Sequence, residues 1–207
     1  MKTWTLMPVR AVALLALAAC DPAAKTEAPA PAEALDLSCT AFAEISEAAL
    51  LANYGADNIV EQTLPGAEGE SYTATVLYPN DAQRRLEVVW ADDATKMQPA
   101  SVSVSGEGNA WTGPNGLSIG DELARVEQLN GRPFALWGFG WDYGGWVSEW
   151  NGGTFASRDG CMTRVRFEAS ADNINAQGDS EFQSNSDAMR AANARVVAFA
   201  LVFPTPD

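Results

Sequence analysis

An apolar run of nine residues, 11–19, followed by a proline-broken stretch, confines any packed core to the chain beyond residue 38. The run sits behind a basic start with Lys2 and Arg10. A helix that crosses a bilayer needs roughly 20 apolar residues, so nine are too few to span. This grammar predicts a secretion signal over residues 1–19 that is removed after export. The next stretch, DPAAKTEAPAPAEALDLS over residues 21–38, carries no aromatic residue, and Pro22, Pro29 and Pro31 interrupt helical propagation. Such a segment reads as an extended tether, reaching up to about 3.1 Å per residue.

The junction between leader and tether is Leu17-Ala18-Ala19-Cys20, which resembles the lipobox of bacterial lipoproteins. The resemblance implies a diacylglycerol on the Cys20 sulfur and Cys20 as the first residue of the mature chain, at the head of a tether over residues 20–38. Burial of acyl chains contributes about 0.8 kcal/mol per CH₂, so several long chains hold a protein to a membrane without a spanning helix. The implied location is the bacterial cell envelope, facing the periplasm. Asp21 resembles the inner-membrane retention signal of enteric lipoproteins, which leans towards the inner membrane and leaves the outer one open.

Residues 39–207 have the length expected of one domain with a sizeable core. Their surface is acidic. The full chain has a net charge of −14, and loss of Lys2 and Arg10 with the leader leaves 11 basic residues against 27 acidic ones, or −16. Repulsion at that charge argues against nucleic acid and anionic headgroups as partners. The same acidity also serves solubility alone. Oligomeric state is left open.

With Cys20 assigned to lipid, Cys39 and Cys161 form the one remaining cysteine pair. In an oxidising compartment they are expected to be bridged, closing a loop of about 120 residues and contributing typically 2–4 kcal/mol. Two buried thiols are the alternative. Cys161, Thr163, Val165 and Phe167 alternate with Met162, Arg164 and Arg166, which predicts a strand with the cysteine facing inward.

A weak repeat of about 75 residues organises the rest. The first unit, about 40–106, offers a helix with Ile45, Ala49 and Leu50 on one side, stopped by Gly55, then strands near Ile59 and over residues 72–78, 85–90 and 100–104. The second, about 115–207, offers a helix carrying Ile119, Leu123 and Val126 and ending at Asn130-Gly131. Strands are expected over residues 134–141, 146–150, 161–167 and 196–203, with a short helix capped by Ser186 before the last. The predicted class is α+β: two tandem units of a helix plus a four-stranded antiparallel sheet, packed into one domain.

The stretch IGDELARVEQLNGRP, residues 119–133, resembles the helix and Gly-x-Pro unit of the β-lactamase-inhibitor-protein-like fold. The first unit has Gly55-Ala56-Asp57 in that place. YPNDAQRRLEVVW, residues 78–90, and GFGWDYGG, residues 138–145, resemble a group of bacterial envelope lipoproteins of uncharacterised function. The wider fold class implies binding of other proteins.

Four of the seven tryptophans, Trp137, Trp141, Trp146 and Trp150, lie within residues 134–155. In an extended strand Trp137, Phe139, Trp141 and Tyr143 share one face, and Gly138, Gly140, Asp142 and Gly144 share the other. The aromatic face suits a peptide anchor or a sugar ring, and the bare face permits close approach of a ligand or a second backbone. Packing beneath the helices is the competing reading. Asp142 and Glu149 flank the Gly144-Gly145 turn and are the residue types that glycoside hydrolysis requires.

The chain has no histidine, which excludes histidine-based nucleophilic catalysis, and no catalytic residue is expected. No cofactor and no metal are expected either. Asn173, Asn175, Gln177, Gly178, Asp179 and Glu181 echo a calcium loop, yet amides replace its leading carboxylates and Ser184 stands where a bidentate glutamate belongs. The expectation is a lipid-anchored, non-catalytic protein that binds a protein or peptide through a surface comprising Trp137, Trp141, Asp142, Tyr143, Trp146, Glu149 and Trp150. The alternative is envelope glycan binding or processing at the same hairpin.

Overall fold

The computed structural model describes Met1 and residues 35–157, 160–169 and 175–204. The expected signal peptide, the lipidated Cys20 and the tether up to residue 34 lie outside the described residues, as does part of the calcium-loop-like stretch. Ala34–Asp207 is one compact unit.

The elements in order are α1 (Cys39–Phe42), α2 (Glu47–Tyr54), β1 (Ile59–Pro65), β2 (Ser71–Leu77), β3 (Leu86–Trp90), β4 (Pro99–Ser105), α3 (Leu123–Asn130), β5 (Ala135–Trp137), β6 (Val147–Glu149), β7 (Met162–Glu168), β8 (Glu181–Gln183), α4 (Asp187–Ala191) and β9 (Arg195–Val202). Their boundaries follow local chemistry. Ser46 caps α2 by accepting the Ala49 N–H at 3.2 Å, and Gly55, at φ 81°, ends it. Gly131 adopts the left-handed conformation after α3, and Ser186 caps α4. Ile119, expected on the α3 helix, precedes it.

All strand pairs in the two sheets are antiparallel, and the class is α+β. The six-stranded sheet has the order β1-β2-β3-β4-β9-β7, and the three-stranded sheet has the order β6-β5-β8. The first half follows the expected plan of a helix and four consecutive strands. The second half does not. Its two long strands, β7 and β9, extend the first half's sheet, because β9 pairs with β4 through Val102↔Leu201 and Val104↔Phe199. The short strands β5, β6 and β8 make the small sheet, so the second expected four-stranded unit is divided between two sheets. Each of these three strands has only three residues, and the pairing of β5 with β6 is bulged between Ala135 and Leu136.

One face of the large sheet is the core side. Leu77, Leu86, Val88, Val102, Val104, Val165, Phe167 and Phe199 pack there with Leu50, Leu123, Val126 and Met189 from the helices. Each fully buried side chain of this size contributes roughly 1.5–3 kcal/mol. The polar atoms within are bonded: the Trp90 indole donates to Thr75 Oγ1 at 2.8 Å.

The fold begins earlier than residue 39. Leu37 is fully buried, and Leu35 and Leu37 exchange backbone hydrogen bonds with Thr112, at 2.8 Å each. Leu35 and Leu37 give residues 35–38 the apolar anchors that the alanine and proline before them lack, which separates these four residues from the tether. Cys39 and Cys161 form a disulfide, with Cα atoms 5.8 Å apart and a sequence separation of 122. It joins the start of the fold to the residue before β7.

Candidate functional site

The Trp-rich segment leaves its strand after Trp137. Gly138 is pressed against another part of the chain, where a Cβ would meet the Gly178 carbonyl oxygen at 2.6 Å. Phe139 N–H donates to Ala176 O, and Gly178 N–H donates back to Phe139 O. Gly140 then takes φ 87°, and residues 141–145 form a turn closed by the Trp141 indole, which donates to Gly138 O at 2.9 Å. Gly145, at φ 76°, lies so close to β7 that a Cβ would sit 1.9 Å from Phe167 O, whose own N–H bonds Gly145 O.

The expected extended strand over residues 134–141 is therefore only three residues long, and its one-sided aromatic face does not form. Phe139 points into the core, 7% exposed, whereas Trp137 and Trp141 are half-buried and Tyr143 is 40% exposed. The glycines do permit close approach, but at Gly138 and Gly145 the approaching groups are the protein's own backbone.

Trp150 is a second correction. Expected on the binding surface, it is 5% exposed, its indole N–H donates to Thr163 O at 2.8 Å, and its ring packs on Phe155 and Phe134 at 4.9 and 5.0 Å. The turn that follows explains its position. Asn130, buried at the end of α3, donates to Trp150 O and accepts the Phe155 N–H, while Gly153 leaves room for its amide.

Trp137, Trp141, Tyr143 and Trp146 do come together. Trp137 and Trp141 meet edge to face, 6.2 Å apart at 82°, and Trp141 meets Tyr143 at 5.4 Å and 67°. Trp146 pairs with Arg166 as an isolated bridge beside β7, and the Arg164 guanidinium lies 4.6 Å over its ring. With Met162, 40% exposed, these residues line a cleft of about 500 Å³, floored by Trp150 and Thr163 and bounded by Val147 and Ser148. That volume lies within the range of roughly 300–1,000 Å³ typical of small-ligand sites.

The two carboxylates of the hairpin have other engagements. Asp142 accepts the Glu68 N–H at 3.1 Å from the turn between β1 and β2, and Glu149 accepts the Asn151 N–H at 3.1 Å. Tyr143 donates its hydroxyl to Glu68, and the Glu68 charge raises the phenol's pKa above its usual value. The phenol therefore stays a neutral donor at neutral pH. Neither carboxylate lines the cleft.

Met162 and Arg164 were not among the expected site residues, although the alternation that turned Cys161 and Thr163 inward also turns them outward. Strand β8, which pairs with β5 through Leu136↔Phe182, carried no comparable signal: Phe182 stands alone between Glu181 and Gln183. Among the described residues no group of three His, Cys, Asp or Glu side chains is placed to hold a metal ion, and no helix is long and apolar enough to cross a membrane. The chain matches no family model, no curated protein and no solved structure.

Proposed function

We propose that this chain is a lipid-anchored protein of the bacterial envelope whose folded part is a non-catalytic binding module for a protein or peptide. The anchor reading rests on Leu17-Ala18-Ala19-Cys20 and the short apolar run before it. The β-lactamase-inhibitor-protein-like reading draws its support from the first half, where α2, after the one-turn α1, leads into four consecutive antiparallel strands.

The binding reading is carried by the arrangement of rings in the cleft. Trp141 meets Trp137 at 82° and Tyr143 at 67°, edge to face in both cases, and such angled rings form a corner that suits one inserted apolar side chain. Exposed Met162 adds an adaptable apolar contact. A glycan chain would favour parallel platforms, and the engaged state of Asp142 and Glu149 gives little support to glycoside hydrolysis.

The test combines capture and fluorescence. Native membranes holding the intact protein or Trp141→Ala are crosslinked, and partners are recovered from each. The expected result is a protein partner lost in the variant, with tryptophan emission unmoved by muropeptides or oligosaccharides. A shift with those sugars alone would favour the glycan reading. Mass spectrometry of the purified protein is expected to find acyl chains on Cys20, and a free thiol there would overturn the anchor.

A further inference from the structure

We infer that the cleft reads a chain end: it takes the free C-terminal carboxylate of a partner peptide on Arg164, with the apolar side chain of that last residue among Trp137, Trp141, Trp146 and Met162. This rests on the reading of the cleft as the ligand site.

Charge is the first reason. In a chain with 27 acids and 13 bases, none of the ten residues lining this cleft is acidic, and Arg164 is its one charged group. Arg84, Arg85, Lys96, Arg190 and Arg195 each hold a carboxylate of the same chain, whereas Arg164, like Arg125, Arg132 and Arg166, makes no ion pair among the described residues, and of these four Arg164 alone lines the cleft. Its guanidinium is held over the Trp146 ring instead, a planar fork suited to a two-pronged bond to a carboxylate.

The remaining polar groups agree with this. The indoles of Trp141 and Trp150 donate to Gly138 O and Thr163 O, but those of Trp137 and Trp146 have no acceptor among the described residues. Ser148 donates to Glu181, at 2.7 Å. Tyr143 gives its hydroxyl hydrogen to Glu68, so both of these hydroxyls are left only as acceptors, and the donors that remain for a carboxylate are the Arg164 guanidinium and the indoles of Trp137 and Trp146.

Compactness selects a chain end over an acidic side chain. In an extended peptide neighbouring side chains point to opposite faces, so an acid and an apolar anchor on one face lie two residues, about 7 Å, apart. A terminal carboxylate and its own side chain leave one Cα together, and a single cleft of about 500 Å³ receives both.

The experiment titrates the full-length protein in detergent with N-acetylated tetrapeptides ending in Leu, Phe or Met, each as free acid and as C-terminal amide. Calorimetry and tryptophan emission are the readouts. The acids are expected to bind about tenfold or more tightly than the amides, and Arg164→Gln to abolish the difference. Because Arg164 is exposed, the variant is expected to melt like the wild type. Equal binding of acid and amide, a preference that survives in Arg164→Gln, or equal binding of an amidated peptide with glutamate two residues before its end would each overturn the inference. So would the absence of binding by every peptide, in which case loss of the crosslinked partner in Trp141→Ala still reports separately on the cleft.

Discussion

Two aromatic groups arise from the same 22 residues, 134–155, and have opposite environments. Phe134, Trp150 and Phe155 join Phe167 in a buried stack, while Trp137, Trp141, Tyr143 and Trp146 line an open cleft of which the buried Trp150 is the floor. Composition does not separate them, since each group has tryptophan. What separates them is the backbone between them: Gly145 can approach Phe167 O because it has no Cβ, and Asn130 draws Trp150 inward through its carbonyl. Aromatic residues are therefore assigned to core or surface here by the glycines and amides that set the path of the chain.

The strongest way to break that division is Trp150→Ala, which removes the centre of the buried stack and its bond to Thr163 O. A loss of about 3–5 kcal/mol is expected in denaturant unfolding, and a loss below about 1 kcal/mol would place Trp150 with the cleft residues. Paired Cys39→Ser and Cys161→Ser substitutions follow, with an expected loss of about 2–4 kcal/mol. Unfolding with and without reductant checks this, because the wild type should approach the variant once reduced.

Asn130→Ala comes next. It leaves Trp150 O and the Phe155 N–H without their side-chain partner, at a cost of about 1–3 kcal/mol. A redshift of the buried tryptophan emission would accompany it. The smallest effect on stability is expected from Trp146→Ala, about 1 kcal/mol or less, since it loses chiefly the contact with Arg164. The same variant is expected to lose ligand capture, so stability and binding should rank Trp150 and Trp146 in opposite order.

The sequence made the long elements legible and the short ones not. Alternation over residues 161–167 anticipates β7 and the inward sulfur of Cys161, and Gly55, Gly131 and Ser186 mark helix ends where the structure has them. The same period of two, applied to residues 134–141, misplaced Phe139 beside Trp137. It assumes a continuous strand, but Gly138 and Phe139 leave that strand to meet residues 176–178, which lie far along the chain, and Gly140 then turns the backbone at φ 87°. Which sheet β7 and β9 join was hidden for a related reason: pairing between β4 and β9 depends on matched lengths across nearly 100 residues, not on any local pattern. Trp137, Trp141, Tyr143 and Trp146 were recognised as candidates from their density, whereas Met162 and Arg164 required knowing which strand lies beside them.

The bond between Cys39 and Cys161 has a mechanical consequence when the domain is pulled from residue 35. Pull on residue 35 would otherwise peel away the short contacts of Leu35 and Leu37 with Thr112 and then unwind α1, a few hydrogen bonds at a time. The covalent link passes the load past α1 to the residue that begins β7, where it is shared along the seven-residue pairing with β9. Under the proposed lipid anchor, the domain would thereby be gripped by its broadest sheet, at the strand that also borders the aromatic cleft.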